Sequence, residues 1–298
     1  MMPVPRKRGP TPEQIRRRRL TALVLIVGTL LAVVVAIVVA LPHVRHKSAP
    51  TTTAIVLAHQ FRIVFPEGFT RAQMAKRVHD VALIAEHKSG KPVLLKENAY
   101  LAATKKIFVP CVTPHTWTHA EGFLFPATYD FDATTTSAQL VTEQIEAFCQ
   151  NWKTVDLAYA KSKNLTSYDV LNIASMIERE TLAPDERRLV AAVIYNRLHD
   201  RMPLGIDATL RYGLNISPEK SILESQLQNP TPYNTRLHLG LPPTPIANPG
   251  LASIQAAAHP AKVDYLYFVR KPDKVHNFFT ASATAFAQYE CAHGYGCG

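Results

Sequence analysis

Charge is scarce in this chain: Asp, Glu, Lys and Arg make up only 19% of its 298 residues. Sulfur is scarcer. The four cysteines are Cys111, Cys149, Cys291 and Cys297, and no two stand in a CxxC spacing, which removes zinc ribbons and thioredoxin-type redox sites. There is no GxSxG, no Walker loop and no GxGxxG, so a nucleophile elbow, a P-loop and a dinucleotide-binding turn are all excluded. Disorder is excluded too, because 47% of the residues are apolar, enough for a sizeable core. The length suggests about two domains.

What charge there is clusters. Arg6, Lys7, Arg8 and Arg16 to Arg19, against Glu13, give the first 19 residues +6 of a net +10. A nucleic-acid-binding face over the rest is therefore not expected. Behind the tail, Leu20 to Leu41 is an uncharged run of 22 residues. As a helix it is about 33 Å long, against about 30 Å of bilayer hydrocarbon. The run exceeds the usual core of a cleaved signal peptide. The expectation is a single-pass anchor in the cell membrane, with residues 1–19 cytoplasmic and everything after Leu41 outside.

All four cysteines follow the apolar run, on the side where disulfides persist. Three pairings are open. The preferred one joins Cys291 to Cys297 and Cys111 to Cys149. Residues 42–53 are a Pro/Ser/Thr-bearing linker. A small first module follows: Phe61 to Phe65 alternates as a strand, Pro66-Glu67-Gly68 breaks it, and Thr70 caps a helix from Arg71 to about His87.

The chemistry is expected between Thr166 and Val269. Thr166 and Asp169 have the spacing of a capping box. On a helical wheel Val170, Leu171, Ile173, Ala174 and Ile177 form one apolar arc. Glu178 falls inside that arc, whereas Arg179 points away and Glu180 lies at the margin. A desolvated carboxylate keeps its proton to higher pH than a solvated one, which suits a general acid. The bland alternative is a helix-end Glu paired with Arg187 or Arg197. The next helix, DERRLVAAVIYNRLHD, ends before Met202-Pro203, and Gly205 to Thr209 reads as a loop carrying Asp207. Asn229 to Gly250 is proline-rich and reads as a rigid, ordered wall bearing Tyr233 and Asn234. Asn248-Pro249-Gly250 starts a short helix that His259-Pro260 stops, and Asp264 to Val269 reads as a strand.

Two motifs fail on context. Ser217 to Lys220 spells SxxK, but Ser-Pro is better read as a helix cap with a first-turn proline. His115, His119 and Glu121 spell HxxxHxE, but Pro114 and three threonines oppose the helix that such a zinc site requires. No metal or organic cofactor is expected.

The motifs ASMIERET (174–181), YNRL (195–198), MPLGIDAT (202–209), PYNT (232–235), GLPPTPIANPGLASIQAAAHPA (240–261) and DYLYFV (264–269) resemble, in order, those of the YceG-like family, the endolytic murein transglycosylases. FPEGFTRAQMA (65–75) and EGFLFPATYDF (121–131) are similar to its LysM-like part and to the lead-in to its catalytic part. Gly205-Ile206, the residue before His276 and Phe279 depart from the family pattern.

The resemblance implies an α+β protein with a transmembrane helix at 20–41, a LysM-like subdomain over 54–120 and a catalytic domain over 121–298. It implies cleavage of nascent peptidoglycan glycan strands to 1,6-anhydro ends, beside peptidoglycan synthases and the division machinery. It makes Glu178, the first Glu of an E-x-E pair, the catalytic acid/base. Tyr233, Asn234, Asp207 and Glu121 are the candidate sugar-binding residues. The alternatives are a hydrolytic muramidase and a non-catalytic wall-binding or division scaffold.

Overall fold

The computed structural model describes residues 12–40, 60–217 and 219–296. Two compact units divide the chain, Met1–Val56 and Leu57–Gly298. In the first, Pro12–Ala40 is one 29-residue helix, α1. Taken over its described residues, no helix is long and apolar enough to cross a membrane. The described side chains run without a break only from Leu23 to Ala36, so the expected span of Leu20 to Leu41 and the linker at 42–53 fall partly or wholly outside the described residues.

The second unit is a mixed α+β fold. Its elements are β1 (Phe61–Val64), α2 (Arg71–Ser89), α3 (Glu97–Ala103), β2 (Lys105–Phe108), β3 (Thr116–His119), β4 (Thr128–Phe131), α4 (Ser137–Trp152), α5 (Ala158–Ser162) and α6 (Ser167–Glu180). After a short 3₁₀ turn come α7 (Arg187–His199), α8 (Asp207–Gly213), α9 (Glu224–Leu227), α10 (Leu251–Ala258), β5 (Tyr267–Arg270), β6 (Asn277–Thr280) and α11 (Ala283–Ala292). The strands form three antiparallel pairs, β1 with β4, β2 with β3 and β5 with β6. Because β1 pairs with β4, one sheet joins residues on both sides of position 120.

Local signals set these elements. Thr70 and Thr166 cap α2 and α6 through reciprocal capping boxes with Gln73 and Asp169, each satisfying two backbone N–H groups left over at a helix start. Gly90, at φ 66°, closes α2 in the left-handed region. Met74, Val78, Ala82 and Ala85 line the buried face of α2, and Val170, Leu171, Ile173, Ala174 and Ile177 that of α6.

Three expectations shift. Asp207 begins α8 instead of sitting in a loop; the helix is barely two turns long, too short to show a periodic pattern. No helix begins at Ser217 among the described residues, where Glu219 and Lys220 lie in a turn. The strand expected over Asp264 to Val269 is displaced to Tyr267–Arg270, where the pairing with β6 lies.

The proline-rich segment is ordered by polar groups on the buried face of α6. Asn172 Nδ2 donates to Pro242 O at 2.6 Å, and Ser175 Oγ accepts from Ile246 N at 3.0 Å. Prolines cannot donate, so the few N–H groups and carbonyls of such a segment need partners supplied from elsewhere. Helix α10 then packs along α6 and α7. Cys111 and Cys149 form a disulfide that ties the β2–β3 loop to α4. It closes 38 residues, a loop whose closure stabilises by roughly 4 kcal/mol on chain-entropy grounds. The Cys291–Cys297 expectation involves Cys297, outside the described residues.

Candidate active site

Glu178 sits in the last turn of α6, and its side chain is half-buried. The apolar arc of the wheel extends to Ile177; by Glu178 the helix is running out of neighbours, which opens that position to solvent. The carboxylate is held from one side: Gly250 N donates to Oε2 at 3.0 Å. Gly250 is the N-cap of α10, so this N–H comes from a helix start, where donors point outward unpaired. Among the described residues nothing hydrogen-bonds to the other oxygen, Oε1.

The turn after β1 forms a second wall. Gly68, at φ +77°, adopts the left-handed conformation that favours glycine. A Cβ there would lie 3.5 Å from Glu178 Cγ. The turn is clamped from both sides: Gly68 N donates to Asn248 O at 2.9 Å, and Arg179 Nη1 donates to Gly68 O at 3.2 Å. This brings Glu67 against Gly250, where a Cβ would overlap the Glu67 carboxylate. Glu67 was not singled out from sequence. The available signal was an acid directly before a turn glycine.

Glu180, two residues on, serves another contact. Its Oε1 accepts from Ala208 N at 3.3 Å, and its carbonyl accepts from Arg270 Nη2 at 2.6 Å. Burial, followed by the charge of Asp207, raises its pKa. It faces α8 and not Gly250.

The four candidate sugar-binding residues lie in different environments. Asp207 is exposed and ion-paired with Arg236. Among the described residues no hydrogen bond or ion pair joins it to Glu178. Tyr233 is half-buried; its hydroxyl bonds Thr244 Oγ1 at 2.8 Å, and its ring lies 5.1 Å from that of Tyr212. Asn234 is fully buried, with Nδ2 donating to Leu227 O and Asn229 O and Oδ1 accepting from Arg236 N. Its side chain holds the loop together and has no solvent-facing group.

Glu121, likewise, is only 3% exposed. Oε1 accepts from Arg71 N at 2.8 Å and Asn248 Nδ2 at 2.9 Å, and Oε2 accepts from Tyr212 Oη at 3.0 Å. Burial pushes its pKa up to about 7, against those hydrogen bonds. The site expected to meet sugar is an interior polar hub. Asn248 completes it: its Oδ1 accepts from Gly122 N and Leu124 N, and Nδ2 also donates to Phe69 O. Through Asn248 the hub reaches Gly68 and, two residues later, Gly250.

His276, whose family context departs, is exposed and bonded to Asp273 Oδ2 at 2.9 Å. His119 lies in the strand β3, and among the described residues no group of His, Cys, Asp and Glu could hold a metal ion. Two hollows among the described residues, of about 710 Å³ beside Tyr195 and Tyr265 and about 630 Å³ beside Ile107 and Cys149, do not include Glu178.

Comparison with known proteins gives consistent results. Residues 44–290 match the YceG-like family. An endolytic murein transglycosylase of Bacillus subtilis (strain 168) is 33% identical over 230 residues, covering 74% of this chain and 61% of that protein. One of Streptococcus pneumoniae (strain R6) is 33% identical over 213 residues, covering 69% of this chain and 36% of that protein. The chain thus spans less than two thirds of the length of either relative. The crystal structure of a yceG-like protein from Listeria monocytogenes superposes with a TM-score of 0.65 at 28% identity, covering 76% of this chain and 75% of that one.

Proposed function

The chain belongs to the YceG-like family, and from that premise we propose that it is an endolytic peptidoglycan transglycosylase with Glu178 as its acid/base. The carrying observation is the asymmetry of that carboxylate, with Oε2 held by the Gly250 N–H and Oε1 open. A backbone donor on one oxygen favours carrying the proton on the other, where a glycosidic oxygen can take it. Glu178 gives that proton to the oxygen linking MurNAc to GlcNAc as the C1–O bond breaks. The C6 hydroxyl oxygen of the muramyl sugar bonds to C1, and its proton returns to Glu178. One proton leaves and one arrives, and no water is consumed. The C6 hydroxyl is tethered beside C1 at high effective concentration.

The hydrolytic reading has one observation in its favour, a second carboxylate at Glu67. Hydrolases of the usual kind set two carboxyl groups on either side of the scissile bond. Here both lie against one glycine, Gly250, which favours the intramolecular route. Mass spectrometry of glycan fragments released by the purified protein should find 1,6-anhydro ends; ends that borohydride can reduce would make the enzyme a muramidase.

Membrane anchorage is part of the proposal. Its support is the uncharged run from Leu20 to Leu41 behind a tail of net charge +6. Anchored there, the protein would meet strands as the synthases and the division machinery release them. A reporter fused after Gly298 should be active only outside the cytoplasm. Cytoplasmic activity would remove the anchor from the proposal.

A further inference from the structure

We propose that Arg179 is a positioning residue for Glu178: it closes a ring of contacts that keeps the Glu178 carboxylate turned to Gly250. The inference rests on the functional reading of Glu178 and extends it to the next residue of α6. Three hydrogen bonds make the ring. Arg179 Nη1 donates to Gly68 O at 3.2 Å. Gly68 N donates to Asn248 O at 2.9 Å. Two residues on, Gly250 N donates to Glu178 Oε2 at 3.0 Å, and the ring returns to the helix it left. Gly68 packs inside it: a Cβ there would lie 3.5 Å from Glu178 Cγ and 3.8 Å from Arg179 Cδ and Nη1. The Glu178 stem is thus packed by the turn after β1, while its carboxylate is held by the start of α10.

Arg179 stands between two glutamates in sequence, so charge pairing is the plain alternative. Among the described residues it forms no ion pair with Glu178 or Glu180, as expected for adjacent helix positions, which do not face each other. Its half-buried side chain reaches instead to a backbone carbonyl 111 positions away. That carbonyl is the part of the turn with least support. Asn248 fixes the points on either side of it, with its O accepting from Gly68 N and its N and Nδ2 both donating to Phe69 O. Asn248 is itself immobile, fully buried and bonded to Gly122 N, Leu124 N and Glu121 Oε1. Between those fixed points lies the Gly68–Phe69 peptide, whose carbonyl is held by Arg179 alone among the described residues. Glycine gives that peptide wide freedom to turn. Without Arg179 it turns, and the surface packed on Glu178 Cγ turns with it. The stem then gains rotamers, Oε2 leaves the Gly250 N–H part of the time, and Oε1 is presented to the glycosidic oxygen less often.

The test is Arg179→Ala in the full chain, assayed by steady-state cleavage of purified glycan strands. A catalytic group misplaced by about 1 Å can cost about 10²-fold. Misplacement for part of the time costs less, so kcat should fall about 10-fold with KM unchanged. Arg179→Lys keeps a cationic donor and should recover part of kcat. A second readout needs no activity: hydrogen exchange of the Gly250 amide, followed by NMR after glycine-selective nitrogen-15 labelling. That N–H should exchange faster in Arg179→Ala and return toward the wild-type rate in Arg179→Lys, well below the melting transition of each. A fall in kcat that only follows lost folded protein, with the Gly250 amide unchanged, makes Arg179 a structural tie and overturns the proposal. A rise in KM alone overturns it too, by putting Arg179 on the substrate. Unchanged kcat with unchanged exchange removes the role of Arg179 and leaves Glu178 standing. If Arg179→Ala fails to fold, Arg179→Lys carries both readouts with smaller shifts in the same directions. A wild type that cleaves no strand removes the functional reading, and Gly250 exchange then decides the ring alone.

Discussion

Glu178→Gln is expected to abolish strand cleavage while the protein melts at its wild-type temperature. The amide keeps the length of the side chain and can still accept the Gly250 N–H through its oxygen, so the bond at 3.0 Å has a replacement. What is lost is the ability to carry a proton from the leaving oxygen to the base role. Removing a positioned general acid–base typically slows a reaction about 10²–10⁴-fold, or ~3–5 kcal/mol of barrier. Glu180 cannot take over, because its carboxylate is turned to Ala208. Asp207 is paired with Arg236 on the exposed side of α8. The check is release of soluble fragments from purified glycan strands, with a thermal melt run in parallel. Full activity in the variant would sink the assignment whatever the product.

The parts of this architecture that read directly from sequence are local. A capping box spans four residues, and the buried arc of α6 repeats within four turns, so Thr166 to Ile177 was legible. Glu178 was legible as an acid at the end of that arc, although the wheel alone put it deeper than it lies. Glu67 was not, because its partner is more than a hundred positions away and its environment is created by Gly250, nearly two hundred away. Polar side chains raised a related problem. Asn234 and Glu121 have the chemistry of sugar contacts, but composition does not say whether a polar group faces solvent or an interior hub. Glu121 is held inside by Asn248 and Tyr212, from distant segments, and Asn234 by Leu227, Asn229 and Arg236 of its own loop. Short elements escaped for a third reason: α8 is seven residues long and β5 four, too few for a period to establish itself.

The interior hub makes a prediction about stability that is separate from catalysis. Glu121 has a folded-state pKa of about 7 against an ordinary 4.5, with burial the largest cause. Between those two values the folded protein keeps a proton that the unfolded chain has already released. Stability must therefore fall as pH rises from about 4.5 to about 7, and level off above. The full span corresponds to about 3 kcal/mol. Glu121→Gln imitates the protonated form: its oxygen can accept from Arg71 N and Asn248 Nδ2, and its amide can donate to the Tyr212 hydroxyl. The variant should match the wild type near pH 4.5 and exceed it above pH 7 by an amount of that order. Other groups titrate as well, so the difference between the two denaturation series isolates Glu121. A variant less stable than the wild type at every pH would mean that the carboxylate's charge is satisfied where it lies. The hub would then be holding Asn248, and with it the Gly68 turn beside Glu178, by charge and not by shape.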